Sequence, residues 1–202
     1  MVLGFTRDSL LGIFGLKLPV PLLEIVDIII ISLALGYIFK DFFRKPAPIE
    51  YDPLTHYKNQ RKDNFKFAIL VTAPAVVLHE LGHKVVAMIF GVPSTLYASY
   101  GFLLLGVVLR IMNFPFIFFV PGFVAHAPTT VGVSTLISLA GPFVNLVIWL
   151  GSVAILKYTN IQTKYRQILI VTSKVNMFLF LFNMIPVPPF DGAAIWNIFA
   201  LI

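Results

Sequence analysis

The sequence predicts an all-α polytopic membrane protein, a bundle of about 4–6 transmembrane helices with a short re-entrant β-hairpin or strand segment. Of its 202 residues, 58% are hydrophobic and only 12% are charged, whereas soluble domains are about 45–50% apolar and about 25% charged. Several apolar runs are long enough to cross about 30 Å of hydrocarbon. This composition excludes an ordinary soluble enzyme, a disordered tail and a basic nucleic-acid-binding domain. The expected location is therefore an integral, multi-pass position in the cell membrane, with the lipid bilayer and no nucleic acid as partner.

The first part of the chain, residues 1–64, is predicted to hold an interfacial segment, a first transmembrane helix and an aqueous loop. Residues 1–20 are apolar but interrupted by glycine, proline and charged residues. Pro21–Phe39 is a mostly apolar run of 19 residues, long enough to span a bilayer as a helix. Residues 40–64 are rich in charge and proline, a composition typical of a solvated loop.

Residues 65–202 are predicted to form a transmembrane core. The spans expected here are Phe65–Phe90, which a glycine and a proline follow, the uncharged run Val131–Leu156, and Ile168–Ile185. Between them, residues 94–130 are apolar but broken by recurring glycine and proline. Aromatic and β-branched residues predict strands at Phe102–Leu109 and Phe116–Val120, and a proline-kinked third helix is the alternative. Because non-helical backbone at membrane depth must be satisfied by protein or water, such a hairpin would line a cavity.

An H-E-x-x-H motif lies inside the second apolar run, as His79-Glu80-Leu-Gly-His83. Histidines at i and i+4 share one face of a helix, so both imidazoles can reach one metal ion at about 2.0–2.1 Å. The glutamate between them can instead face a metal-bound water, take its proton and pass it to a leaving amine. Zinc lowers the pKa of such a water from 15.7 toward about 7.

The apolar surroundings of this motif argue against a set of solvent-exposed polar residues that has no function. Two histidines and a carboxylate at membrane depth cost several kcal/mol unless they are paired or ligated. A satisfied polar core is the alternative, but three ionisable residues within five positions favour a metal site.

The third ligand must be His, Asp or Glu, because the chain contains no cysteine. His56 falls in the predicted aqueous loop and His126 in the broken segment. Asp191 is the only acid after Glu80 and ends an apolar helix among prolines. A buried carboxylate needs a partner such as a metal, although an exposed Asp-Gly turn is the other interpretation of this residue.

Three motifs in order resemble the site-2 protease family of intramembrane zinc metalloproteases. His79–His83 is similar to the family's HExxH, and residues 183–192 (NMIPVPPFDG) to its N-x-x-P-x-x-P-x-D-G. Residues 140–145 (AGPFVN) resemble its A-G-P-x-x-N helix. The resemblance covers about residues 65–195, and we expect a minimal member without PDZ or CBS domains.

This resemblance implies an endopeptidase that cuts transmembrane segments of membrane-protein substrates, in regulated intramembrane proteolysis. It implies one Zn²⁺ per chain on His79, His83 and Asp191, with Glu80 catalytic. The substrate would be held as an extended strand on the segment between the HExxH and A-G-P helices, which favours a hairpin there. Asn183 would be catalytic or bind substrate, through the substrate carbonyl or the oxyanion, with a helix–helix hydrogen bond as the alternative. Asn145 would pack structurally or contact the substrate-binding segment.

Two alternatives compete with a protease of this family. The first is a catalytically inactive membrane scaffold or binding protein that keeps a structural metal, which a fourth protein ligand such as His126 would favour. The second, a CAAX-type prenyl-protein protease, needs a glutamate third ligand, and no glutamate follows Glu80. His126 and Lys174 are otherwise expected to be an interfacial histidine and a snorkelling lysine.

Charge distribution and family resemblance predict opposite membrane orientations. Ten of the 15 basic residues lie within residues 40–66 and 157–166, so the positive-inside rule makes both segments cytoplasmic. The resemblance implies that the HExxH helix enters from outside, and we favour that orientation.

Overall fold

The structure is a computed structural model that describes residues 20–42, 53–114 and 120–196, except for the side chains of residues 53–62 and Lys164. The predicted interfacial segment before residue 20 and residues 116–119 of the second predicted strand lie outside the described residues. Within the described part, the elements are α1 Val20–Phe39, α2 Pro53–Ile89, β1 Ser94–Ala98, α3 Tyr100–Ile111, β2 Gly122–His126, α4 Val131–Tyr158, α5 Thr163–Asn183 and α6 Gly192–Trp196. The predicted helical fold with one small β segment is confirmed.

Three of these helical segments are long and apolar enough to cross a membrane: α1, residues Asp63–Ile89 of α2, and α4. Each of them also exposes several large hydrophobic side chains, as a lipid-facing surface does. This is fewer than the predicted four to six spans. The predicted span Ile168–Ile185 does form a helix, α5, but α5 is not among the three within the part of the chain described.

The predicted aqueous loop is partly wrong, because α2 begins at Pro53 and not at Phe65. Proline is well placed at a helix start, where its missing N–H would be unpaired in any case. The charged residues that follow led to the prediction of a solvated loop, but lysine, arginine and glutamine are also good helix formers. The charge of this segment therefore did not predict its secondary structure.

The strand predicted at Phe102–Leu109 is also wrong, since this segment is helix α3. Leu103 and Gly106, three residues apart, form its buried face, a spacing that fits a helix and not a strand. The strands flank α3 instead. β1 and β2 pair antiparallel, with Ser94 opposite His126 and Ala98 opposite Gly122.

Helix α2 occupies the centre of the structure and packs against α1, α4, α5 and both strands. A buried apolar cluster joins α1, α2, β1 and α3 through Ile31, Leu35, Val76, Leu96 and Leu103. On its other side, α4 packs against α5 and α6. The HExxH motif on α2 is therefore enclosed by the sheet and α1 on one side and by α4 and the α5–α6 region on the other.

Candidate metal centre

Helix α2 presents His79 and His83 to the interior of the protein. His79 and His83 are each 6% exposed and Glu80 is 5% exposed. All three lie within the part of α2 that is apolar enough to cross a membrane. The burial cost expected from the sequence is therefore present, and ligation or pairing must offset it.

Asp191 joins the histidines from the segment between α5 and α6. Its Oδ2 lies 3.1 Å from Nε2 of His79 and 3.3 Å from Nε2 of His83, and the two Nε2 atoms are 3.1 Å apart. These residues form a group able to hold a metal ion. The structure thus brings together the three ligands expected from the sequence and the resemblance.

The dimensions of this triangle fit zinc. Ligand bonds of about 2.0–2.1 Å in tetrahedral geometry place ligand atoms about 3.3–3.4 Å apart. The three observed separations, 3.1, 3.1 and 3.3 Å, are close to that spacing. An ion at the centre of the three atoms needs only a slight expansion of the group.

The hydrogen bonds on the far side of each imidazole fix where its proton lies. Nδ1 of His83 is 2.7 Å from the backbone carbonyl oxygen of Ile137, which can only accept. Nδ1 of His79 is 2.6 Å from Oδ1 of Asn145, whose amide nitrogen donates to the carbonyl of Ala75 at 3.1 Å. Both neutral imidazoles therefore carry their proton on Nδ1 and turn the lone pair of Nε2 toward Asp191.

Asp191 adds a third acceptor to the same point. Its Oδ2 is buried and has no hydrogen bond of acceptable geometry, despite its nearness to the two imidazoles. Two imidazole nitrogens and a carboxylate oxygen that converge on one point are a donor set that fits a metal ion.

Glycine at position 141 allows α4 to close over the ligands. A Cβ there would lie 2.3 Å from Nε2 of His83 and 2.7 Å from Nε2 of His79. On α2, directly before His83, a Cβ on Gly82 would meet the carbonyl oxygen of Ala140 at 3.0 Å. The backbone of the A-G-P segment on α4 therefore packs directly against the turn of α2 that carries the HExxH motif. There is no room for a side chain at residue 141.

Glu80 lies beside the centre without belonging to the ligand group. Its Oε2 is buried and has no hydrogen-bond partner in the described residues. Its Cγ is 4.0 Å from the position that a Cβ on Gly122, the first residue of β2, would occupy. Glu80, next to His79 in sequence, thus also lies close to the start of β2.

The two predicted asparagines occupy different environments. Asn145 is completely buried and orients His79, a contact that the sequence did not reveal. Asn183 is partly buried at the end of α5, where its amide donates to the carbonyl oxygen of Leu179 at 3.0 Å. Contacts of either residue with substrate stay predictions.

His126 ends β2, and its Nδ1 faces the backbone carbonyl of Ala127 at 2.9 Å. It does not belong to the ligand group found within the described residues. Sequence reasoning did not find the contributions of Ile137 and Gly141 to this centre. The A-G-P motif marks Gly141 and its neighbour Ala140 in the sequence. No sequence pattern marks Ile137, because it contributes a backbone carbonyl that any residue has.

Fold and site together define a class: a helical protein with membrane-length helices and a buried His-His-Asp centre that has a free glutamate beside it. Over 180 residues, the chain is 29% identical to a protein of Methanocaldococcus jannaschii whose curated name is "Putative zinc metalloprotease". The alignment covers 87% of this chain and 85% of that protein. No family model matches, and no solved structure matches. The homologue confirms the resemblance drawn from the motifs, being consistent with a minimal site-2 protease-like protein.

Proposed function

We propose that this protein is a zinc-dependent intramembrane endopeptidase that hydrolyses peptide bonds within or near transmembrane segments of other membrane proteins. The observation that carries the proposal is the convergence of three potential ligand atoms, from His79, His83 and Asp191, beside Glu80, whose buried Oε2 has no hydrogen-bond partner in the described residues. The similarity to a protein named as a zinc metalloprotease supports the same chemistry. His79 and His83 lie in a helix segment that is apolar enough to cross a membrane, and this position favours substrates that are themselves embedded in the membrane.

His79, His83 and Asp191 would hold one zinc ion. When bound, zinc polarises a carbonyl and lowers the pKa of water from 15.7 toward about 7. Glu80 would take a proton from the attacking water on its Oε2 as the water oxygen bonds to the peptide carbonyl carbon, and would pass that proton to the amine that leaves when the C–N bond breaks. Burial keeps bulk water from this carboxylate, which strengthens its electrostatic interaction with the reacting groups.

A substrate strand would add to the outer edge of β2. The backbone N–H of Leu96 in β1 donates to Oε1 of Glu24 at 3.0 Å, so this N–H points away from β2. Since Leu96 lies opposite Val124, antiparallel geometry turns the N–H and carbonyl of Val124 outward as well. No backbone hydrogen bond between the described segments occupies that outer position.

The two edges of the sheet therefore differ in availability. Glu24 of α1 covers the β1 edge and also forms an ion pair with Lys84 of α2. The β2 edge begins at Gly122, beside Glu80. A strand added there is extended, so its peptide bonds are open to attack as those of a helix are not, and it runs past the catalytic glutamate.

Cleavage of a membrane-embedded model substrate by the purified protein in detergent tests this function. We expect Glu80→Gln, which keeps the shape of the side chain and removes its basicity, to retain zinc and to lose at least about 100-fold in cleavage rate. Chelation should abolish cleavage and added zinc should restore it. Full activity in Glu80→Gln or in the zinc-stripped protein would contradict the proposal.

A further inference from the structure

A chain of buried amides connects His79 to helix α5. Oδ1 of Asn145 faces Nδ1 of His79 at 2.6 Å, and Nδ2 of Asn145 donates to Oδ1 of Asn176 at 2.8 Å. Nδ2 of Asn176 in turn donates to the backbone carbonyl of Thr172 at 2.8 Å. Both asparagines are completely buried, so water does not compete for these hydrogen bonds.

The direction of this chain is fixed at two backbone carbonyls. The oxygens of Ala75 and Thr172 accept only, so the amide nitrogen of each asparagine must face them. Each amide oxygen is then forced toward the preceding group, that of Asn176 toward Asn145 and that of Asn145 toward His79. Because Asn145 presents an acceptor, the imidazole must carry its proton on Nδ1.

Asn176 completes the hydrogen bonding of Asn145. One N–H of the Asn145 amide is used by Ala75, and Asn176 accepts the other. Without Asn176, Asn145 would hold a buried and unpaired donor, which a flip or rotation of its amide would relieve. A donated hydrogen bond also polarises the Asn145 amide and strengthens its oxygen as an acceptor.

We propose that Asn176 is a positioning residue for the metal centre, which acts through Asn145 to hold the His79 imidazole with its proton on Nδ1 and its Nε2 free for zinc. Asn176 lies outside the three motifs and contacts none of the ligands directly. The proposal rests on the proposed function for the identity of the metal. The hydrogen-bond direction itself rests on the carbonyls of Ala75 and Thr172 alone.

The chain offers matched variants for a test. Asn176→Leu keeps approximate size and removes the acceptor. Asn176→Asp, as a neutral buried acid, can still accept from Asn145 and donate to Thr172. Ser173→Ala changes a second buried polar residue of α5, which forms no hydrogen bond to either asparagine.

Two quantities are measured without any substrate. The first is the His79 tautomer in metal-free protein, from the ring nitrogen chemical shifts of labelled histidine, assigned by substituting the other three histidines one at a time. The second is zinc affinity, by competition with a chelator. We expect Nδ1 protonation in the wild type, Asn176→Asp and Ser173→Ala, and a mixture of tautomers with about tenfold weaker zinc binding in Asn176→Leu.

An unchanged tautomer and unchanged zinc affinity in folded Asn176→Leu would overturn the proposal, as would a wild-type His79 that is protonated on Nε2. If Asn176→Leu does not fold, Asn176→Ser is measured against Asn176→Asp by the same two readouts. Neither readout uses substrate, so the two proposals can fail separately. If both readouts give the expected result but the protein cleaves nothing, only the proposed function is contradicted. If the protein cleaves substrate but Asn176→Leu changes neither readout, only the role of Asn176 is contradicted.

Discussion

Replacing Gly141 with alanine places a methyl group directly against the two ligand nitrogens. The added Cβ would lie 2.3 Å from Nε2 of His83, whereas ordinary contact begins at 3.4 Å. The imidazole or helix α4 must therefore move by about 1.1 Å (3.4 less 2.3). His83 cannot yield easily, because its Nδ1 is held 2.7 Å from the carbonyl of Ile137.

A displacement of this size is large on the scale of metal coordination, where bond lengths vary within about 0.2 Å. Loss of an orienting contact alone typically weakens metal binding about 10–100-fold, so we expect at least that effect in Gly141→Ala. Zinc retained after dialysis against graded chelator concentrations, measured by elemental analysis, gives the affinity. Cleavage of the model substrate should fall in parallel.

Gly151 and Gly132 provide matched controls on the same helix, since a Cβ at either position meets nothing within 4 Å. Glycine to alanine in a helix ordinarily stabilises by about 0.5–1 kcal/mol. Gly151→Ala should therefore keep zinc and unfold at an equal or higher temperature. Wild-type zinc affinity in Gly141→Ala would refute the close packing of α4 on the ligands.

Three further predictions concern the third ligand, the substrate edge and the membrane orientation. Asp191→Asn keeps the shape of the side chain but removes its charge, so zinc affinity should fall at least about 10–100-fold in the chelator competition; equal affinity would exclude this carboxylate as a ligand. Val124→Pro removes one outward N–H without breaking the β1–β2 pairing, and we expect about five- to tenfold slower cleavage with full zinc content; a rate equal to that of the Val124→Ala control would show that β2 does not accept the substrate. A cysteine at Lys62 should react with an impermeant reagent added outside the cell, and labelling only from inside would reverse the orientation.

The metal centre could be predicted from the sequence because its chemistry is scarce. With nine acidic residues, four histidines and no cysteine in the chain, few ligand sets exist, and a buried site excludes most of them. His79 and His83 follow from helical spacing alone. The assignment of Asp191 as the third ligand depended on the family resemblance. It lies 108 positions after His83, and local spacing does not predict contacts between residues so far apart in the sequence.

The parts that were mispredicted or missed depend on three-dimensional context. Phe102–Leu109 has the apolar composition of a buried strand, but in an apolar environment a helix satisfies the same backbone within one segment. Pro53 was assigned to a loop because its charged neighbours indicate water. The link from Asn176 to His79 passes through Asn145, and no periodicity of one segment encodes a hydrogen bond between two helices.

The central claim is that His79, His83 and Asp191 hold one zinc ion. An anomalous-difference map at the zinc absorption edge, from crystals of the zinc-loaded protein, tests it most directly. We expect one peak per chain at about 2.0–2.2 Å from Nε2 of both histidines and from Oδ2 of Asp191, with the fourth position open to water. No peak at this position, or a peak closed by a fourth protein ligand, would contradict it.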